Sequence, residues 1–396
     1  MLLIKNANLY NMAGIDGEKR DILIDDAGRI VEIAPTIETC DDYVVVDAAG
    51  RIVTPGLVDP HCHIGLSEDS VGWNGDDVNE STHPVMPHMR GLDAIKDHDR
   101  YFGIALRKGI TTVCTGPGSA NIFGGTFCVL NTYGADIFEK TEVAEHSMKM
   151  ALGENPRRVY GHAGKEPKTR MASAAMMREW LTKARDYKEL WDEYETDMAK
   201  YDEKSDEKRP KKPTYDVKLH AIKRLFEGLP CKIHAHQSND ITTALQIAQE
   251  FDLKVTIDHC TEGYMIPETL KKFPYQIIIG PTMSVSGKHE TRNLSFESGR
   301  ILHENGILFS IMTDHPVIGM DHTIAQLGQF AGAGLPWLET IKAITINAAR
   351  TIYMEDELGS IEVGKRGDVV VWSGDPLHYM TKAEVVVAKG KVVVSG

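Results

Sequence analysis

The sequence predicts an α/β protein centred on a (β/α)8 TIM-like barrel, and three observations support this. Through the middle of the 396-residue chain, apolar strand-like runs alternate with longer segments of helical pattern, the texture of βα repeats around a parallel sheet. Seven such runs stand out: GLVDPHCHI, GITTVCTG, HSMKMALGE, CKIHAHQ, KVTIDHCTEG, QIIIGPTMS and ILFSIMTDHP. They are spread over about 300 residues, which suits a barrel of roughly 250 residues with insertions and one strand still to be placed. Finally, both ends of the chain are rich in β-branched runs and differ from the middle. A doubly wound sheet is the alternative for the same alternation.

Taken in order, the N-terminal runs LLIKNANLY, RDILIDDAGRIVEIA and YVVVDAAGRIVTPG each join apolar residues to a turn such as Asp26-Ala27-Gly28 or Ala48-Ala49-Gly50. That is the signature of a small antiparallel sheet. The C-terminal runs GSIEVGKRGDVVVWSGDP and AEVVVAKGKVVVSG repeat it. Residues 1–54 and 355–396 are therefore expected to flank a barrel over 55–354. Within the barrel, helices are expected at 172–190, at 239–251 and at 336–353 after Pro336. The segment 185–213 carries dense charge of both signs and ends in prolines, which reads as a solvated helix and loop inserted into the barrel.

Composition excludes several function classes. With 57 acidic against 44 basic residues the formal charge is -13, which disfavours a nucleic-acid partner, because phosphate binding rests on Lys and Arg. No apolar run approaches the roughly 20 residues that span a bilayer, and the N-terminus turns polar after four residues. Six cysteines without a C-x-x-C pair argue against a disulfide framework or a cysteine zinc site. These features fit a soluble, cytoplasmic protein acting on a small molecule, without a membrane partner and compatible with a homo-oligomer.

The 16 histidines are sorted by position. His61 and His63 stand two apart in PGLVDPHCHIG, so on a strand their imidazoles share a face while Cys62 points away. An H-x-H pair alone is weak evidence, but three later runs end in His234, His259 and Asp314, each just before a polar stretch. In a barrel such strand ends converge on one mouth, where active sites sit. Imidazole and carboxylate donors suit Zn²⁺, Mn²⁺ or Fe²⁺. A sixth candidate, Glu154, closes HSMKMALGE; Lys149 in the same run is the alternative, as a carbamate.

The order PGLVDPHCHIG, His234, His259, Asp314, with the tail ITINAARTIYMEDELGSIEVGKRGDVVVW, resembles the amidohydrolase superfamily, in its imidazolonepropionase-like and prolidase-like branch. The resemblance covers nearly the whole chain. It implies that the two ends join as a small β-sandwich domain around the barrel. It also implies that His61, His63 and Asp314 bind one divalent ion, that His234 and His259 bind or flank a second, and that Glu154 or Lys149 bridges them. One or two ions per chain, zinc ahead of iron or manganese, are consistent with it.

The expected reaction is hydrolysis of a C–N bond, amide or cyclic amide, in a small carboxylated substrate. Metal-activated hydroxide is the nucleophile and Asp314 the general acid and base. His236, sharing the face of His234, is expected to touch substrate or to replace His234 as ligand, and Arg292 in SVSGKHETRNLSF to hold the substrate carboxylate. Lys288, Lys165, Lys168 and Arg170 are further loop cations. TGPGSANIFGG is glycine-rich, but it lacks the Lys-Ser/Thr ending of a nucleotide loop. The alternatives are a mononuclear deaminase of an amidine-like substrate and a non-catalytic binding protein of the same fold.

Overall fold

A computed structural model describes residues 1–68, 72–202 and 208–395, so residues 203–207 of the charged insertion lie outside the described residues. The N-terminal strands are β1 (Leu2–Tyr10), β2 (Asp16–Ile24), β3 (Ile30–Ala34), β4 (Val44–Asp47) and β5 (Ile52–Pro55). The central strands are β6 (Leu57–Cys62), β7 (Ile110–Thr115), β8 (Phe123–Asn131), β9 (Thr141–Ala151), β10 (Cys231–Ala235), β11 (Val255–His259), β12 (Gln276–Ile279) and β13 (Phe309–Ile311). β14 (Val369–Trp372), β15 (Ala383–Ala388) and β16 (Lys391–Ser395) follow. Among the described residues, β6 to β13 form one eight-stranded sheet in chain order, and the strands of the two ends form another.

The end segments, expected as a small β-sandwich, are one hydrogen-bonded sheet of order β16-β15-β14-β5-β1-β2-β3, with β4 also on β1. Its seam is the antiparallel pairing of β14 with β5, which places Val369 opposite Pro55. Trp372 on β14 turns inward, is 1% exposed, and joins the apolar core of the central sheet. Its indole Nε1 donates to Thr54 Oγ1 at 2.8 Å.

The central sheet departs from the expected all-parallel barrel at the strand that sequence reading left unplaced. That strand is β8, and it runs antiparallel to both β7 and β9. Residues 116–122, which link β7 to β8, are too few for a helical crossover, which needs a dozen or more residues. The chain therefore turns back in a hairpin. The glycine-rich segment TGPGSANIFGG is this turn and the start of β8. From β9 to β13 every pairing is parallel.

The sheet curls until β6 meets β13. Asp314 N donates to His61 O at 3.2 Å and His63 N to His315 O at 2.8 Å. Asp59 adds a side-chain clasp, since its Oδ2 accepts from Thr313 N at 3.3 Å and from the Thr313 hydroxyl. Burial pushes the Asp59 carboxyl up to about 7 against those donors.

Helices cover the outside. Arg170–Lys200 starts at Thr169, whose side chain accepts from Ala172 N, and buries Ser173, Met177, Leu181, Ala184 and Tyr187 on one face. No residue beyond Tyr187 in this helix is buried, which matches the charge of that stretch. Ser238–Glu250 buries Ile241, Ala244, Leu245 and Ala248 at helical spacing. The expected helix 336–353 is split into Trp337–Lys342 and Ile346–Thr351.

Because Trp372 ties the terminal sheet to the central core, Trp372→Ala should cost about 3–5 kcal/mol. Chemical denaturation measures this, and an unchanged midpoint would show that the two sheets do not depend on this contact.

Candidate metal centre

The carboxyl ends of the central strands carry two groups of side chains able to hold a metal ion. His61, His63 and Asp314 form one, and His234, His236 and His259 form the other. All six are buried. All but His61 line a cavity of about 610 Å³, together with Lys149, Asn155 and Lys288.

Local sequence explains the placement. Pleating sends His61 and His63 to one side, while Cys62 is 0% exposed with its thiol toward Cys114 O. His259 and Asp314 sit where their strands end, both in the left-handed region, with φ 72 and φ 52. A positive φ at a non-glycine residue costs on the order of 1–3 kcal/mol, and such strain gathers at functional sites. Here it turns each side chain out of the strand's alternation and into the mouth.

Four of the five rings are oriented through Nδ1. His61 Nδ1 meets Asp258 Oδ2 at 2.7 Å, His63 Nδ1 meets Gly116 O at 2.7 Å, and His259 Nδ1 meets Gly280 O at 3.0 Å. A carbonyl or carboxylate only accepts, so Nδ1 carries the proton in all three and Nε2 presents a lone pair. His236 Nδ1 pairs with Thr261 Oγ1 at 2.7 Å. The Nε2 atoms of His61 and His63 then face Asp314 Oδ1 at 3.4 and 3.2 Å. Lone pairs so arranged repel one another unless a proton or cation lies among them, and this donor set suits a divalent ion. Neither nitrogen of His234 has a hydrogen-bond partner.

Burial holds the imidazoles of His61, His234 and His259 below the ordinary histidine value of 6.5, and takes His236 to about 4. They are therefore neutral, the form that ligates. Behind them lie charges the sequence reading did not use. Asp258 is 0% exposed, with Lys232 Nζ at 3.5 Å and Lys149 Nζ at 3.9 Å. Burial alone would raise the Asp258 pKa, but Lys232, His61 and Lys149 outweigh it and hold the carboxyl below the ordinary range. The available signal was an acidic or basic residue inside an apolar strand, as in VTIDH, CKIHA and SMKMA, because such a residue is buried only with a partner.

The two bridge candidates lie in different surroundings. Lys149 Nζ is 3.3 Å from His61 Nε2, and burial brings its ammonium down to about 8. Glu154 joins neither group. β9 ends at Ala151, and Gly153 with φ 85 turns the chain, so that Glu154 begins the helix Glu154–His162 and lines a separate cavity with Arg157, Arg158 and Lys168. Arg292 is also outside the cavity lining. Its side chain is 45% exposed, hydrogen-bonds His289, and lies 3.7 Å from Glu262. The loop cation on the cavity wall is Lys288, whose Nζ donates to Asn155 Oδ1 at 2.6 Å. Arg170 is committed to Asp240 and Gln237, and Lys165 to Thr82 O. His236, expected as a substrate contact, stands within the second ligand group.

A nearly closed eight-stranded sheet with histidines and a carboxylate gathered at its strand ends is an amidohydrolase-like fold. The chain belongs to the amidohydrolase family, whose model matches residues 213–396. The solved structure of an amidohydrolase from Thermotoga maritima MSB8 is 33% identical, covers 100% of both chains, and superposes with a TM-score of 0.93. The amidohydrolase tasK of Hapsidospora irregularis is 27% identical over 90% of this chain, which spans 38% of that relative's length. An imidazolonepropionase from Symbiobacterium thermophilum is 25% identical over 100% of this chain and 97% of its own. Among the described residues no helix is long and apolar enough to cross a membrane.

The buried histidines set a pH dependence. The unfolded chain takes up protons near 6.5, while folded His236 does so near 4. Their contribution is therefore complete above 6.5 and is lost as pH falls through about 4. The Tm of metal-free protein should fall between those values, and a Tm flat across that window would contradict the assignment of neutral buried imidazoles.

Proposed function

We propose that this protein is a metal-dependent amidohydrolase that cleaves the amide or cyclic-amide C–N bond of a small carboxylated substrate. The observation that carries this reading is the convergence of two ligand-capable groups on one cavity, with Lys149 beside His61 and a lysine on the wall. In this reading His61, His63 and Asp314 hold one divalent ion, with zinc first in order of fit, and His234 and His259 hold a second. Lys149, as a carbamate, takes the bridging place that sequence reading gave first to Glu154. The family supports the reaction class, and the named imidazolonepropionase relative supports a cyclic amide among the candidates.

A bound divalent ion supplies Lewis acidity, polarising the scissile carbonyl and lowering the pKa of water to about 7. The remaining work falls to the chain. Asp314 Oδ1, poised between the two imidazoles at the cavity floor, takes the proton of the attacking water and returns it to the leaving nitrogen. His236, in the same group as His234 and His259, is available to the second ion. Lys288, fixed by Asn155, binds the substrate carboxylate in place of Arg292.

A panel of N-acyl amino acids, dipeptides and cyclic amides tests this. Metal-loaded enzyme should release a free amine or open a ring, and Asp314→Asn should lower kcat by about 10²–10⁴, the worth of a general acid–base. Asn keeps both the size and the tolerance for positive φ, so the fold should persist. Ammonia release from an amidine would instead establish the deaminase reading, and full activity in Asp314→Asn would remove the proposed proton carrier.

A further inference from the structure

We infer that Glu290 is a further metal donor, completing the group of His234, His236 and His259; this rests on the metal-centre reading proposed above. Glu290 lies in the short helical turn His289–Thr291 that follows β12. It is 0% exposed, yet its two oxygens are treated very differently. Oε2 accepts from Glu154 N at 2.7 Å. Oε1 is buried and has no hydrogen-bond partner. It stands 3.8 Å from His234 Nε2 and 3.9 Å from His236 Nε2.

The surrounding groups do not account for that oxygen. Lys288 Nζ is 3.9 Å away and donates to Asn155 instead. A buried carboxylate without a charge-matched, hydrogen-bonded partner is costly, and so is a buried imidazole bonded at neither nitrogen, as His234 is. A single cation between them satisfies both. Zinc bonds of about 2.0–2.2 Å in a tetrahedral shell put neighbouring donors about 3.3–3.6 Å apart, close to the 3.8 and 3.9 Å that separate Glu290 Oε1 from His234 and His236.

The position is built, since a Cβ at Gly153 would come within 2.8 Å of Glu290 Oε2. With φ 85 and no side chain, Gly153 lets the chain pass while Glu154 N holds the carboxylate.

Titration of metal-stripped wild type and Glu290→Gln with Zn²⁺, reading bound equivalents and Tm, tests this without a known substrate. Gln keeps the acceptor for Glu154 N, so the metal-free Tm should not fall. One zinc equivalent should bind at least about tenfold more weakly, and its rise in Tm should shrink accordingly. Unchanged zinc affinity, or a lowered metal-free Tm with the zinc-dependent rise intact, overturns the inference. Zinc-loaded wild-type crystals decide independently of the variant. A Glu290 oxygen within about 2.0–2.2 Å of an ion supports it, and one beyond about 3 Å from every ion overturns it. Wild type that takes up no stoichiometric zinc contradicts the metal-centre reading itself, which is a separate failure.

Discussion

A carboxylate without exposed surface stands at the centre of this structure. Asp258 is reached by Lys232 from β10 and Lys149 from β9, and it accepts from His61 on β6. Opposite charge on neighbouring strands makes burial of all of them tolerable, and removing one member of such a set typically costs about 3–5 kcal/mol. The same contact decides chemistry. By accepting a hydrogen bond from His61 Nδ1–H, Asp258 turns the Nε2 lone pair toward Asp314.

The backbone supplies the second constraint. Parallel strands from β9 to β13 bring their carboxyl ends to one rim, and left-handed residues at His259 and Asp314 bend those side chains inward. The antiparallel excursion through β8 shapes the opposite wall. Gly116 at its turn gives the carbonyl that fixes His63, and Gly280 after β12 gives the one that fixes His259. Backbone carbonyls at strand ends thus do for two histidines what Asp258 does for a third.

Much of this was legible in the sequence, and the failures have physical causes. The H-x-H spacing and the apolar runs ending in His234, His259 and Asp314 were readable because strand alternation and strand ends leave a pattern. β8 escaped because FGGTFCVLN begins with glycines that look like a loop, and because the parallel expectation left no room for a hairpin. Glu154 closes the apolar run HSMKMALGE but begins the next helix and does not end the strand. β9 in fact stops at Ala151, and Lys149 shares a register with Lys232 facing the interior. Glu290 has no local signature at all: it is an acid among polar neighbours in a loop, buried only by the tertiary fold.

The most direct test is the metal content of the purified protein, measured by elemental analysis for wild type, Lys149→Ala and Glu154→Ala. The account predicts stoichiometric divalent metal in wild type, a lower content in Lys149→Ala, and an unchanged content in Glu154→Ala. Wild type with no stoichiometric metal after reconstitution, or loss of metal in Glu154→Ala with retention in Lys149→Ala, would contradict it.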